Sequence, residues 1–296
     1  MSEIIIAAPF RGWAAPLEEV PDPVFAERML GDGVAIHPLS GSIRAPCDGR
    51  IATLHAAHHA VTIETPEGAQ ILIHFGLETV ALAGSGFTAH VVAGQAVKAG
   101  DLLIECDLDR VALAAPSLVS PVILANPDAF RIVRRTVGRE VAEGEMLLAV
   151  ASAEGEQAAA VDGAVHRREQ PIALRHGIHA RPAARIADAL RPLDAELVVI
   201  HTARQASGRS PVGLLGLGIA NGDLVTLEAR GSDALAAIEA VAALITGGMD
   251  EAAPPPGAEV VASPGTVADA NGALRGILAS PGLALGPAAR FERAQL

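Results

Sequence analysis

The sequence is poor in cysteine and in aromatic residues. It contains two cysteines, no tyrosine and one tryptophan among 296 residues. Cys47 and Cys106 are too few and too isolated for a disulfide framework, and they lack the CxxC spacing of a zinc site, so the pattern favours a reducing, cytoplasmic location. With aromatic residues at 2%, stacking on bases or sugar rings is a disfavoured mode of recognition.

The chain also lacks long apolar runs and an excess of positive charge. No segment reaches the roughly 20 consecutive apolar residues that a membrane helix requires. The first residues have no basic region before their short apolar run, so no signal peptide is predicted. A net charge of −12 disfavours nucleic acid and anionic lipid as partners, and we expect partners with positive patches instead.

The apolar pattern divides the chain into five segments. Residues 1–150 contain short Val, Ile and Leu segments between Gly, Pro and Asp turns, which predicts an all-β sandwich or barrel. Residues 151–160 are small and acidic, as in a linker. Residues 161–249 alternate strands with amphipathic helices, which predicts an α+β open-faced sandwich. The Ala- and Pro-rich residues 250–271 predict a flexible linker, and 272–296 form a last segment.

His179 lies directly before a predicted helix, in the motif Gly-Ile-His-Ala-Arg-Pro-Ala-Ala. The first-turn N–H groups, with that of Ala180 among them, and the helix dipole favour an anion at this end. Arg181 can add a bidentate clamp. A neutral imidazole is a nucleophile near pH 7, so His179 can carry a phosphoryl group without metal or nucleotide. By itself, the local pattern is more typical of a helix cap beside a solvated arginine.

His74 lies in a predicted strand whose alternation places Leu72 and His74 on one face. His59 precedes a neighbouring predicted strand, so the two imidazoles can surround one phosphoryl group, although a structural role is the commoner one for such a histidine. The nearby His55 and His58 leave a zinc site open as an alternative, but no carboxylate ligand is identifiable.

Three motifs in the first segment occur in the order found in one protein family. They are Pro21 to Gly33 (PDPVFAERMLGDG), Ala45 to Gly49 (APCDG) and Ile73 to Gly76 (IHFG). They resemble glucose-type enzyme IIA of the bacterial sugar phosphotransferase system, over residues 3–150.

The later segments resemble two other components of the same system. Gly177 to Ile186 (GIHARPAARI), Ala206 to Ser210 (ASGRS) and Gly222 to Thr226 (GDLVT) resemble HPr, the histidine phosphocarrier protein, up to about Thr246. Arg275 to Gly282 (RGILASPG) resembles the opening strand of enzyme I, which uses phosphoenolpyruvate.

The resemblance implies a phosphohistidine relay. Enzyme I would charge His179, His179 would charge His74, and His74 would charge a IIB domain of a sugar permease of glucose or N-acetylglucosamine type. It also implies that His59 and Arg181 support the transfer. The further implied residues are Ala180 and Gly76 as phosphate-binding support, and Val24, Phe25 and Glu78 as docking surface.

Three positions depart from the families' usual pattern. Ser210 falls where many HPr proteins carry a regulatory serine, but Pro211 and Val212 replace bulkier residues there. Ser followed by Pro is also a good N-cap and N1 pair, so a capping role and a regulatory role both stay open. Ala57 stands where a threonine commonly orients the supporting histidine of enzyme IIA. His176 replaces a small polar residue and can perturb the pKa of His179 by charge repulsion.

The resemblance implies no cofactor for this chain, because phosphoenolpyruvate and magnesium serve enzyme I. Only the start of enzyme I is recognisable, so no autokinase activity is expected. A linker of about ten residues spans about 17 Å as a random coil, so transfer between molecules is expected as readily as within one.

Two other classes of function share part of this pattern. The alternative is a phosphorylation-dependent regulatory module that binds transporters or metabolic enzymes, as glucose-type IIA domains do. A biotinyl or lipoyl carrier is disfavoured, because the only lysine, Lys98, lacks the hairpin context that such a carrier needs.

Overall fold

The structure is a computed structural model, and it describes residues 3–153 and 164–250. We refer to these two ranges as the first part and the second part. The predicted linker at 250–271, apart from Asp250, and the segment at 272–296 that resembles enzyme I lie outside the described residues. The predicted domain boundaries stay predictions, although the last strand of the first part continues to Ser152, inside the segment predicted as a linker.

The first part consists mainly of antiparallel strands. They are β1 (Ile4–Ala7), β2 (Gly12–Pro16), β3 (Asp32–Pro38), β4 (Ser42–Arg44), β5 (Gly49–Leu54), β6 (Ala60–Glu64), β7 (Gln70–His74), β8 (Phe87–Ala89), β9 (Ala96–Val97), β10 (Leu102–Cys106), β11 (Ser120–Leu124), β12 (Phe130–Arg135), β13 (Arg139–Val141) and β14 (Met146–Ser152). Two short helices, α1 (Pro23–Ala26) and α2 (Leu108–Ala114), and 3₁₀ turns at Leu17–Glu19 and Thr79–Leu82 connect them.

These strands form one large sheet and two small ones. The large sheet has the order β13-β2-β3-β11-β7-β6-β5-β9, and the small sheets have the orders β1-β14-β12 and β4-β10-β8. None of these three sheets of the first part closes on itself in strand order, so none is a closed barrel. The description of the first part as a sandwich or barrel stays a prediction.

The central strand β7 is buried on both of its faces. Ile71, Ile73 and Phe75 belong to the main core of the first part. Leu72 belongs instead to a separate apolar cluster on the opposite face, and the ring of His74 points to that side, where it contacts Phe25. The period-two alternation predicted from the sequence is thus observed, and it places a polar ring at the end of a buried strand.

The second part is a four-stranded antiparallel sheet with helices. Its strands are β15 (His166–Pro171), β16 (Glu196–His201), β17 (Arg204–Ser207) and β18 (Leu224–Arg230), in the order β15-β18-β16-β17. Its helices are α3 (Ala180–Leu190), α4 (Pro211–Gly216) and α5 (Ala234–Thr246), followed by a 3₁₀ turn at Gly248–Asp250.

The second part has a core of its own. Alternate residues of β16 and β18, such as Leu197 and Leu227, are buried against Ile186 of α3 and Val241 of α5. A β-rich part followed by an α+β part is the architecture that the sequence predicts. None of the described helices is long and apolar enough to cross a membrane.

Separate cores predict separable unfolding transitions. Leu227→Ala removes a fully buried side chain from the second core, and a cavity of this kind costs about 2–5 kcal/mol. We expect most of this loss in the free energy of unfolding of the second part, because the two cores themselves share no residue. Trp13, the only tryptophan, lies in the first part, so its fluorescence in a urea titration follows that part alone, while circular dichroism follows both.

The matched control is Ile63→Ala in the first core, which should shift the Trp13 transition instead. An equal shift of the Trp13 transition by Leu227→Ala would contradict the independence of the two cores.

Candidate functional site

The ring of His74 is held by the turn that follows its strand. Its Nδ1 lies 2.9 Å from the carbonyl oxygen of Gly76, and because a carbonyl only accepts, Nδ1 carries the hydrogen and donates it. In the neutral ring the lone pair is therefore on Nε2. Gly76 has φ +69°, and a Cβ there would lie 2.8 Å from Cγ2 of Thr79, so glycine suits this turn. The Gly76 N–H donates to Oγ of Ser120 at 3.1 Å.

His59 lies directly behind His74. Strand pairing places Ala60 opposite His74, and the centroids of the His59 and His74 rings are 4.9 Å apart. Nδ1 of His59 is buried and has no hydrogen-bond partner among the described residues. Ala57, which replaces the family's threonine, donates its backbone N–H to Nδ1 of His55 at 3.1 Å. The His55 ring lies 4.4 Å from that of His59, so His59 is held between two rings.

Burial keeps this group of imidazoles neutral. It lowers the pKa of His74 to about 4, below the ordinary value of 6.5, although the hydrogen bond to Gly76 opposes the shift. Burial, with the neighbouring His179 and His58, lowers the pKa of His55 to about 4. Burial and the adjacent His74 lower the pKa of His59 well below its ordinary value. All three rings are therefore uncharged near neutral pH.

His179 is the N-cap residue of α3 and has extended backbone dihedral angles. Its side chain makes no capping hydrogen bond to the helix, so the simple cap interpretation does not describe its ring. The residue is only 8% exposed, and the centroid of its ring lies 6.2 Å from that of the His176 ring. The sequence places the ring where the first N–H groups of α3 favour an anion.

His74 and His179 open into the same small pocket. Its volume is about 20 Å³, which is room for little more than one water molecule. The residues that line it are Asp22, Val24, Phe25, His74, Glu78, Thr79, Val80, His179, Ala180 and Arg181. The structure therefore brings together most of the site residues predicted from the sequence, with His59 behind His74 and Gly76 beneath it.

Arg181 is bound by two carboxylates of the first part. Its Nη2 donates to Oδ2 of Asp22 at 3.1 Å and also to the carboxylate of Glu78. Burial lowers the pKa of this guanidinium, but Glu78 and Asp22 together outweigh it, so the pKa is raised and the charge is retained. Arg181 was predicted to bind phosphate with two hydrogen bonds. In this structure its guanidinium instead binds the two carboxylates of the first part.

Sequence reasoning missed Asp22. Its Oδ1 accepts from the Val24 N–H at 3.0 Å and caps α1, while Oδ2 binds Arg181. The cap itself was recognisable from Asp followed by Pro at a helix start. The ion pair between Asp22 and Arg181 was not recognisable from the sequence, because the two residues lie 159 positions apart.

Of the predicted docking residues, Val24 and Phe25 are buried, whereas Glu78 is exposed and binds Arg181. Val24 and Phe25 belong to an apolar cluster that also contains Ala180 and Ala184 of α3. The ring of Phe25 packs edge-on against His74, with a centroid distance of 5.1 Å. The predicted rim around His74 is therefore covered by the second part.

Two other predictions involve Ser210 and the histidine cluster. Oγ of Ser210 accepts from the Gly213 N–H at 3.0 Å, so this serine caps α4, and a regulatory role stays a prediction. In the described part of the chain, no group of three or more His, Cys, Asp or Glu is arranged to hold a metal ion, and the absence of a metal site stays a prediction.

Comparison with known families matches both parts in turn. The family model described as the phosphoenolpyruvate-dependent sugar phosphotransferase system, EIIA 1, matches residues 4–130. The model described as the PTS HPr component phosphorylation site matches residues 166–247.

Individual relatives follow the same division. The glucose-specific EIIA component of Bacillus cereus is 49% identical over 143 residues, which are 48% of this chain and 87% of that protein. The solved structure of glucose permease IIA from Mycoplasma capricolum has 40% identity and a TM-score of 0.49, covering 50% of this chain and 96% of the other. A phosphocarrier HPr from Bacillus anthracis has 29% identity and a TM-score of 0.27, covering 28% and 98%.

One relative is 49% identical across most of its length, and two family models match successive parts of the chain. The chain belongs to the EIIA family of the phosphoenolpyruvate-dependent sugar phosphotransferase system, carries an HPr domain after its EIIA domain, and serves as a phosphohistidine relay toward the IIB domain of a sugar permease.

Proposed function

We propose that His179 accepts the phosphoryl group from enzyme I and transfers it to Nε2 of His74. The observation that carries this assignment is the shared pocket, into which both imidazoles open. Transfer breaks the P–N bond at His179 and forms one at His74, and the bonding pair of the broken bond stays on the His179 ring. Phosphoryl transfer depends mainly on positioning and on stabilising charge, so two imidazoles that line one pocket suffice, without metal or other cofactor.

The hydrogen bond to Gly76 and burial together prepare His74 as the acceptor. With Nδ1 engaged by a carbonyl, Nε2 is the atom left to attack phosphorus. With the pKa of His74 lowered to about 4, its lone pair is available at physiological pH, because protonation would need a more acidic medium. The pocket has room for little more than one water molecule, which limits hydrolysis of a phosphohistidine.

His59 and Arg181 have supporting roles in this proposal. The His59 ring packs 4.9 Å from the His74 ring and can donate to a phosphoryl oxygen once charge develops on it. Arg181 lines the same pocket, and its charge can stabilise the phosphoryl group during transfer. The N–H of Ala180, in the first turn of α3, adds a donor at the same point.

We further propose the partners and the location of the protein. The relative from Bacillus cereus is a glucose-specific EIIA component, which supports a IIB domain of a glucose-type permease as the acceptor. Enzyme I would be the donor, and the cytoplasm the location. The β-rich part would be a sandwich of IIA type and the second part an open-faced sandwich of HPr type. The resemblance of residues 272–296 to enzyme I stays a prediction.

The first prediction separates the acceptor from its neighbour. His74→Gln should abolish phosphate on the first part, because it removes the nucleophile. His59→Gln should still accept phosphate but pass it to IIB about 100-fold more slowly, since general support of this kind is worth about 10²–10⁴. Mass spectrometry of the charged chain locates the phosphate, and a coupled IIB assay gives the transfer rate. Phosphate on His59 with His74 unmodified would reverse the assignment.

The second prediction concerns pH. The pKa of His74 is lower in the folded chain than its ordinary value of 6.5, so between about pH 6.5 and pH 4 the unfolded state binds more protons. The free energy of unfolding of the first part should therefore fall as the pH is lowered through this window. His74→Gln should make the fall smaller, as measured by urea titrations of Trp13 fluorescence. The C2 proton of His74 should titrate by NMR near pH 4, and a midpoint near 6.5 would contradict the burial argument.

The third prediction concerns phosphate entry. The purified 296-residue chain, mixed with labelled phosphoenolpyruvate and magnesium, should remain unlabelled until separate enzyme I is added. Only about 25 residues resemble enzyme I, too few to form an independent domain. Phosphohistidine without added enzyme I would mean that the chain has a second route for phosphate entry.

A further inference from the structure

The contact between the two parts covers both candidate histidines. We infer that the second part is the resident partner of the docking surface around His74. In this arrangement the chain closes on itself, transfer from His179 to His74 is intramolecular, and the chain must open before a IIB domain or enzyme I reaches either ring. The inference rests on the proposed function for the roles of the two histidines.

The first evidence is a buried apolar cluster shared by the two parts. Val24 and Phe25 of α1 pack with Ala180 and Ala184 of α3 and with Val212 of α4. All five side chains are buried. Small alanines on α3 let its backbone approach α1 closely, which places the N-terminus of α3 over the His74 ring. Closure of this kind removes apolar surface from water on both parts, and this favours the closed state.

A second contact lies at the end of α4. Gly216 packs on β5, where a Cβ added to this glycine would lie 2.8 Å from Cγ2 of Thr53. The approach of α4 to the sheet therefore depends on a residue without a side chain. This contact is separate from the histidine pocket, because neither Gly216 nor Thr53 lines it.

The third contact is ionic. Arg181 of the second part bridges Asp22 and Glu78 of the first. Its side chain is one-third exposed, at 33%, while that of Asp22 is 9% exposed. A partly desolvated charge pair of this kind fixes orientation, and removing one partner leaves the other charge buried and uncompensated.

Closure has a direct consequence for access. His74 is 6% exposed and His179 is 8% exposed, so neither ring is available to a third protein while the two parts remain docked. A connection of about ten residues raises the effective concentration of one part near the other to the order of millimolar. An affinity tighter than about 100 µM between the parts would then keep more than about 90% of molecules closed. Under this inference transfer within one molecule is favoured, whereas the sequence-based expectation was transfer between molecules as readily as within one.

The first experiment measures whether His74 is covered. The uncharged full-length chain is treated with diethyl pyrocarbonate, which modifies neutral imidazoles, and each histidine is followed by mass spectrometry. Gly216→Trp should hold α4 away from β5 and increase the rate of modification at His74 about tenfold, the factor expected if about 90% of molecules are closed. Arg181→Glu, which sets a third carboxylate beside Asp22 and Glu78, should give a similar increase.

Leu235→Trp is the matched control, since Leu235 is 61% exposed on α5 and the same ring is added away from the contact. It should leave the rate at His74 unchanged. The exposed His37 and His90 report folding in every chain, because their rates should not change. Equal rates at His74 in all four chains would overturn the inference.

The second experiment measures the kinetic order of the transfer step, which shows whether phosphate moves within one molecule or between two. Enzyme I is kept in excess at fixed concentration with labelled phosphoenolpyruvate, and the chain is diluted 100-fold, about two orders of magnitude, before rapid quenching. The half-time for label to appear on His74 should not change with dilution. A mixture of His74→Gln and His179→Ala chains can transfer phosphate only between molecules. In this mixture the rate at which label appears on His74 should fall in proportion to dilution.

The outcomes separate this inference from the proposed function. If the half-time of the unmodified chain lengthens with dilution as in the mixture, the relay stands and internal transfer is wrong. If label reaches His179 but reaches His74 in neither sample, the proposed function fails with it.

Discussion

Burial of the His74 ring is the constraint on which the rest of this structure depends. A strand buried on both faces ends in an imidazole whose Nδ1 is bound by the carbonyl of Gly76. Removal from water lowers the pKa of His74 to about 4 and leaves an uncharged nucleophile at Nε2. The N-terminus of α3, with the proposed donor His179, lines the same pocket as the His74 ring, and under our inference it covers that ring. One physical condition thus accounts for both the reactivity of the ring and its inaccessibility.

The ionic bridge at Arg181 orients this arrangement more than it stabilises it. A single partly exposed ion pair contributes about 0–1 kcal/mol to stability. The apolar cluster shared by the two parts stabilises their contact by burying several apolar side chains at once. Asp22 has two tasks, because one oxygen caps α1 and the other binds Arg181. The position of Phe25 against the His74 ring is thereby linked to the position of α3, since both depend on the same carboxylate.

The surroundings of His59 show how the fold accommodates a departure from its family's pattern. Ala57 offers no side-chain donor, and its backbone N–H binds His55 instead. His59 is consequently positioned by edge-to-face contact with the rings of His55 and His74. A row of neutral rings is compatible with close packing because burial lowers the pKa of each of the three, which prevents mutual repulsion near neutral pH.

The sequence by itself determined the features that arise from neighbouring residues. The alternation along β7 placed Leu72 and His74 on one face, and the motif around His179 located a histidine before a helix. The motifs also identified both families. These features follow from local geometry, which the order of residues specifies directly.

The tertiary structure alone decided which atoms meet. Asp22 and Arg181 are 159 positions apart, and Gly76 and Ser120 are 44 apart. No periodicity or spacing relates such pairs. The same holds for the tautomer of His74, which depends on the orientation of one carbonyl. It also holds for the packing of helices α3 and α4 against Val24 and Phe25. These properties arise only when strands and helices distant in sequence pack together, because burial and charge pairing depend on all of the surrounding elements at once.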